Sequence, residues 1–546
     1  MVRADSLLFD HWWVCGGRLR GMAEPLYRIL NGSRTNRRSF ILATSSLAAA
    51  ALWSTRALGA VTKLPTFRNY PFQLGVASGD PESDSVVLWT RLAPDPVAGG
   101  GMKPESVEVA WQVCDDEAMT RVVKKGRIVA TPEWAHSVHA EVAGLRPDRW
   151  YWYQFKAGNE TSPKGRTRTL PVVNSSPGKL RFAFASCQHY ETGYYTAYEH
   201  MAREDLDLVF HLGDYIYEGG ARDGLVRRHN SGELFTLDDY RNRYALYKTD
   251  GALQTMHAAA PWVVTWDDHE VANNYAGLTP AKPPENGISF RQRRANAYKA
   301  YYEHLPLRRA SLPDGPDMQL YRRLSFGRLA DFFVLDTRQF RTDQPCGDGK
   351  KEVCAEALNP GATILGERQR DWLLRGLSAS PGKWNVLAQQ VMMARVDLEA
   401  GPGTEHSMDQ WPGYEMDRRR VLRHFAERRI SNPIVLTGDI HSNWANELVA
   451  DFDQLDSRVV GTEFVGTSIS SGGDGAGQSR QAERLAVENP FVKFYNAQRG
   501  YVRCEVTPHN WRSDFRVVER VTQPGAPIQS LKSFVVESGQ ARLNPG

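Results

Sequence analysis

At 546 residues the chain is too long for one average domain, and its 24% charged and 41% hydrophobic content is that of a soluble globular protein. The formal charge of +4 is unevenly spread. Residues 1–60 hold eight of the 67 basic residues and three of the 63 acidic ones, leaving 59 against 60 in the remainder. That near-neutral remainder excludes the basic stripe with which a duplex nucleic-acid binder neutralises phosphates.

Residues 1–60 read as a leader. Asn36-Arg37-Arg38-Ser39-Phe40-Ile41-Leu42 runs into a weakly apolar stretch ending near Trp53, then Ala57-Leu58-Gly59-Ala60. Adjacent arginines, an apolar run and a small-x-small cleavage site make a twin-arginine export signal. The apolar run is about 14 residues against the ~20 needed to span a bilayer, so no permanent membrane span is expected. The implied partner is the twin-arginine translocase, and the implied location is periplasmic or extracellular. Residues 1–21 precede a second methionine, Met22, and resemble an extended start.

From 61 to 172 the pattern is all-β. Asp84–Leu92, Val107–Val113 and His136–Val142 read as short strands between turn-rich breaks. Leu145-x-Pro147 followed by Tyr151 and Tyr153 is how a fibronectin-like sandwich writes its tyrosine corner. A small immunoglobulin/fibronectin-like domain is expected here. It would serve as a docking or folding module, or lend loops to substrate binding.

After a linker from Pro171 to Gly178, residues 173–546 alternate strands with helices. Strands are predicted at Leu180–Ala185, Leu206–Leu212, Trp262–Trp266, Ala330–Leu335, Trp384–Ala388 and Ile434–Thr437. Helices are predicted at Tyr194–Glu204, Leu237–Lys248, Phe290–His304, Gly366–Ser378 and Met416–Arg429. This is a large α/β domain with one layered core. The run Ser470–Gly475 reads as a flexible loop, and the tail after Phe515 as a strand plus a surface extension.

Four strand ends carry metal-type ligands. The first ends at Cys187, by default a buried core thiol. Cys15 lies in the leader, Cys346 and Cys354 bracket a polar loop as a disulfide pair, and Cys114 and Cys504 read as buried thiols, with a bond between them left open. Cys187 is left over at a strand's carboxyl end, where a thiolate favours a thiophilic ion such as Fe or Zn. The second end is Gly213-Asp214 with Tyr217, whose oxygens can reach one hard cation. The third is Asp267-Asp268-His269-Glu270 with Asn273 and Asn274, a set that cannot be buried cheaply without partners. The fourth is Gly438-Asp439-Ile440-His441. Each alone suits a solvated turn. Together they point to two cations at one sheet edge, bridged by an aspartate, and so to phosphate-ester hydrolysis.

The order of these segments resembles the calcineurin-like metallophosphoesterases, and more closely the PhoD-like alkaline phosphatase/phosphodiesterase family. The likeness rests on Phe72–Pro81, Val86–Leu92, Ser186-Cys187-Gln188, Gly213–Glu218, Asp267–Glu270 and Leu335–Gln339. It implies a metallophosphoesterase-type layered β-sandwich flanked by helices over 173–546. It also implies Fe(III) on Cys187, Asp214, Tyr217 and His441, with Asp214 bridging to one or two Ca2+ on Asp268 and Asp439. Asn273 or Asn274 would add a carbonyl ligand. His269 would serve as general acid or polarising donor at the leaving group, and metal-bound hydroxide would attack phosphorus directly. Gln389-Gln390 stand where the wider superfamily keeps a metal histidine, so one amide would ligate or the site would be more open. Arg338 would contact substrate phosphate, or else form a surface salt bridge.

The resemblance thus implies an exported phosphatase of mono- and diesters, small molecules or wall and lipid phosphodiesters. Two alternatives stand beside it. One is a phosphodiesterase or phospholipase D with little monoesterase activity. The other is a non-catalytic phospho-ligand binding protein.

Overall fold

The computed structural model describes residues 65–546 apart from 284–285, 478–484 and 486, so the leader reading of residues 1–60 lies outside the described residues. Alternation along the strands sorts their side chains into layers. In Leu180–Ala185, Leu180, Phe182 and Phe184 face one side and Ala183 and Ala185 the other. Leu208 and Phe210 oppose Val209, and Trp384, Val386 and Ala388 oppose Leu387, in the same way. The shared side is an apolar core between two sheets, where the rings of Phe182, Phe210 and Phe332 meet.

Among the described residues one sheet has ten strands and the other eight. The first runs parallel at its centre through Leu180–Ala185, Leu208–His211 and Trp262–Val264. The second runs parallel through Ala330–Val334, Trp384–Ala388, Pro433–Thr437 and Val459–Val465. Helices Thr196–Met201, Leu237–Lys248, Gly251–Ala259 and Phe290–His304 cover the outside of the first sheet. Gly366–Ser378 and Glu415–Glu427 cover the second. Layered sheets between helices are what the alternating pattern predicts. Leu237–Lys248 begins where expected because Thr236 and Asp239 form a reciprocal capping box.

The N-terminal strands Val76–Gly79, Ser85–Arg91 and Ser137–Ala143 continue the ten-stranded sheet, joined through the Gly79–Trp262 pair. A five-stranded sheet built on Val107–Cys114, Val122–Ala130 and Trp150–Ala157 packs over them across Val86, Leu88, Val109, Val138 and Tyr151. The Tyr151 hydroxyl accepts from the Arg146 amide at 2.9 Å and donates to the Arg146 carbonyl at 3.2 Å, as the Leu145-x-Pro147 spacing predicts. The two expected domains therefore share one sheet.

One expectation needs correcting in part. The tail after Phe515 does form strand, but what was expected as a surface extension is sheet as well: Ile528–Glu537 and Asn544–Pro545 form the edge of the ten-stranded sheet. As expected, Cys346 and Cys354 are joined and Cys114 and Cys504 are buried thiols, with no bond between them.

Lys248 closes its helix in a buried seam against the N-terminal strands. Its ammonium lies 4.2 Å from the centre of the Trp89 ring and donates to the Tyr215 hydroxyl at 3.3 Å. Burial pushes its pKa down to about 7. An unfolded lysine titrates near ~10.4, so between these values the unfolded chain binds more protons and stability rises with pH. Below pH 7 the full cost of the buried charge remains. Lys248→Met should therefore melt above wild type at pH 6, and the gap should shrink toward pH 10. Melting curves across that range check it; a gap constant with pH contradicts it.

Candidate metal centre

The carboxyl ends of both parallel sheet centres meet at one place. Cys187 follows Leu180–Ala185, Asp214 follows Leu208–His211, and Asp267 and Asp268 follow Trp262–Val264. Asp439 and His441 follow Pro433–Thr437 of the other sheet. Close approach explains the glycine before each lone aspartate. A Cβ on Gly213 (φ +109°) would lie 2.4 Å from the Asp267 Cβ, and one on Gly438 would lie 2.7 Å from the Ser186 hydroxyl. The backbone is then turned sharply to aim the ligands. Cys187, Asp214, Asn274, Asp439 and His441 all have φ between +51° and +63°. Each costs about 1–3 kcal/mol for a residue with a Cβ, and such strain collects at ligand clamps.

Three overlapping donor sets result. Cys187, Asp214 and His441 form one, Asp214, Asp268 and His269 a second, and Asp267, Asp268 and Asp439 a third, each with donor atoms within 4.8 Å of one another. Asp214 belongs to two of them. Tyr217 closes the first: its hydroxyl donates to Asp214 Oδ2 at 2.8 Å and lies 3.2 Å from His441 Nε2. Ser471 Oγ is 2.8 Å from the same hydroxyl and donates to the Cys187 carbonyl at 2.7 Å. Ser470–Gly475, expected as a flexible loop, thus has its first two residues buried against the ligands.

Crowded acids dominate the electrostatics. Burial raises the Asp214 and Asp267 pKa values well above the carboxylate range, pushes Asp439 up to about 6 and Glu270 up to about 7. Asp268 goes the other way: despite its burial, Arg338 and His269 pull it below its ordinary value. Burial disfavours a charged His269, but Asp268, Glu218 and Asp214 hold it protonated well above its usual pKa. The Glu218 carboxylate accepts from His269 Nδ1 at 2.7 Å and from the Asn273 amide at 2.7 Å. The imidazole packs against the Tyr217 ring, centroids 4.1 Å apart and planes tilted by 32°, and is partly exposed.

A PhoD-like phosphatase model matches residues 182–515, and a model of the PhoD-like phosphatase N-terminal domain matches 59–171. The chain belongs to the PhoD-like phosphatase family. It is 52% identical over 517 residues to alkaline phosphatase D of Bacillus subtilis (strain 168), covering 93% of this chain and 88% of that protein. A solved structure of PhoD is 53% identical and superposes with a TM-score of 0.86, covering 88% of this chain and 93% of that one. The protein is accordingly a phosphoric ester hydrolase, and the non-catalytic alternative falls.

Within this phosphatase the expected site residues are placed as follows. Cys187, Asp214, Tyr217, Asp268, His269, Asp439 and His441 come together. Asn273 does not join them: it is exposed, and only its amide is engaged, by Glu218. Its neighbour Asn274 donates its amide to Asp268 Oδ2 at 2.6 Å. Arg338 forms no surface salt bridge. It is wholly buried, donating to Asp267 and Asp409, with Nη2 3.9 Å from Asp268 Oδ1 and 3.8 Å from Asp439 Oδ1. Carboxylates crowded this closely, most of them buried, need a fixed cation beneath them. The side-chain amides of Gln389 and Gln390 are engaged away from the donor sets. Gln390 bonds Thr265, Leu335 and Thr337, and Gln389 bonds Val391, Thr437 and Trp411, so both amides tie strand ends together.

Sequence reasoning overlooked the supports. Glu270 accepts three main-chain N–H groups: Asp214 at 3.1 Å, Tyr215 at 2.6 Å and Asp267 at 2.8 Å. Arg499, between the last strand of one sheet and the next of the other, donates to the carbonyls of Gly472, Gly473 and His441. Glu270 stood in the quoted Asp-Asp-His-Glu run, whereas Arg499 had no local signal.

A glutamine offers one acceptor oxygen where Glu270 has two, so Glu270→Gln orphans at least one buried N–H. The expected loss is about 1–3 kcal/mol of stability, together with reduced metal content of the purified protein. Thermal melting and elemental analysis check both; wild-type values in each would contradict the clamp.

Proposed function

We propose that this phosphatase is exported and hydrolyses both phosphomonoesters and phosphodiesters at a mixed-metal centre. One observation carries the reading: Asp214 lies in two donor sets at once, which suits a bridging ligand. The donor chemistry fits the ions. A thiol, phenol, imidazole and carboxylate on Cys187, Tyr217, His441 and Asp214 suit Fe(III), and the carboxylates of Asp214, Asp268 and Asp439 suit one or two Ca2+. Asp214 Oδ1 and Asp267 Oδ2 are buried with no protein partner among the described residues, as oxygens meant for a cation would be. When bound, the metals supply Lewis acidity toward phosphoryl oxygens and lower the pKa of water.

The chain's own residues do the rest. Glu218 orients His269 so that Nε2 is left for substrate, and the nearby carboxylates keep that nitrogen protonated. His269 is thereby suited to donate to the leaving oxygen as it gains charge. Arg338 stays beneath the carboxylates and fixes their positions, which replaces the substrate contact first expected of it. The reading divides the chain into an N-terminal domain over 61–172 and a catalytic domain over 173–546, which the two matched segments support, behind a twin-arginine leader in 1–60 that rests on the sequence alone. No helix of the described residues is long and apolar enough to cross a membrane.

The test uses one nitrophenyl monoester and one bis-nitrophenyl diester, each with added Ca2+ and after chelation. Turnover of both that chelation abolishes is expected, with His269→Ala lowering kcat by about 10²–10⁴-fold, the usual range for a lost general acid. Turnover of the diester alone would favour the phosphodiesterase alternative. Full activity in chelator would overturn the metal reading.

A further inference from the structure

Residues 346–349 hold an unusual backbone. Cys346, Gly347, Asp348 and Gly349 all have positive φ, and Asp348 lies at φ +62°, ψ −178°, a region that is essentially glycine's own. Glycines flank Asp348 on both sides. A third would sit there without strain, so the side chain at 348 must repay about 1–3 kcal/mol. Its carboxylate does one thing in the structure. Oδ2 accepts from Asn274 Nδ2 at 3.0 Å, while Oδ1 is buried with no protein partner among the described residues.

Asn274 is itself held in the left-handed region (φ +51°), and its main-chain amide donates to Asp268 Oδ2 at 2.6 Å. Gln344 Nε2 holds the Asn274 carbonyl at 2.8 Å. Asn274 therefore stands between the 346–354 loop and a carboxylate of the metal centre. The loop is braced in turn: the Cys346–Cys354 disulfide closes it, the Cys346 amide donates to Glu356, and Lys350–Lys351 pairs with His406–Ser407.

We propose that Asp348, presented by the disulfide-closed loop, is a positioning residue for Asp268 and acts through Asn274. The inference rests on the reading of Asp268 as a Ca2+ ligand. Without the Asp348 acceptor the Asn274 side chain loses its anchor, the left-handed turn at 274 relaxes, and Asp268 Oδ2 loses the donor that fixes its rotamer. Cation affinity falls while the fold stands.

The experiment titrates chelator-treated, full-length protein with Ca2+ by calorimetry. Asp348→Gly, which keeps the backbone, should weaken Ca2+ binding about tenfold, equivalent to about 1.4 kcal/mol. Asp348→Asn, which keeps an acceptor oxygen and carries the same backbone strain as aspartate, should return it to within about twofold of wild type. Asn274→Gly should match Asp348→Gly, and the double variant should add nothing further, because both remove one link. Wild-type affinity in Asp348→Gly, failure of Asp348→Asn to restore binding, or additive losses in the double variant would each overturn the proposal. Asp268→Asn separates the two levels. If it leaves Ca2+ binding intact, the ligand reading itself fails; if it abolishes binding, the outcome for Asp348 stands on its own.

Discussion

Four buried carboxylates (Asp214, Asp267, Asp268 and Glu270) and the half-buried Asp439 crowd together at the end of two packed sheets. Charges of one sign in low dielectric repel strongly and pay heavily for lost water. Every neighbouring feature answers that constraint. Arg338 lies under the acids as a permanent cation, and His269 is held protonated at their rim. Glu270 is satisfied by three main-chain amides. What remains unanswered is concentrated on oxygens of Asp214 and Asp267, where a multivalent cation would offset it.

Strained backbone is the second recurring element. A strand delivers its side chains alternately up and down, so a strand alone cannot aim consecutive donors at one point. Left-handed turns at Cys187, Asp214, Asp439 and His441 break that alternation at the strand tips. The layered core makes them tolerable. Phe182, Phe210, Trp384 and Leu436 lock the strands below, and the tips inherit their positions. Loops on a looser scaffold would relax to cheaper conformations and scatter the ligands.

Much of this was legible in the sequence for a physical reason. Alternation and caps are local properties, so Leu180–Ala185, Leu237–Lys248, Phe290–His304 and Gly366–Ser378 appear at their predicted limits. Glycine followed by aspartate at a strand end is also local, and it marked Asp214 and Asp439. The unread parts depend on contacts far apart in the chain. Arg338 stood between a phosphate contact and a surface salt bridge because nothing nearby shows that Asp267 and Asp409, each about 70 residues away, close over it. Gln389 and Gln390 looked like lost ligands because their partners lie on other strands. Ser471 sat in a glycine-rich run whose composition suggests mobility, yet its hydroxyl meets Tyr217, 254 positions earlier. The tail's second strand, Ile528–Glu537, was read as a surface extension because its burial pattern is weak, as suits a strand near a sheet margin.

The docking of the two sheet tips has a mechanical side. Cys187 and Asp214 belong to one layer, Asp439 and His441 to the other, and the layers touch there through Gly438 against Ser186 and through the Ser186–Ser468 bridge. An ion held by the proposed ligands Cys187 and His441 would therefore rivet the sandwich shut at one end. Any slide of one sheet over the other would have to break that grip first. Metal supply would then set more than turnover: it would add to cohesion by mass action, and a starved molecule would fray from this seam, the same end at which substrate is proposed to bind.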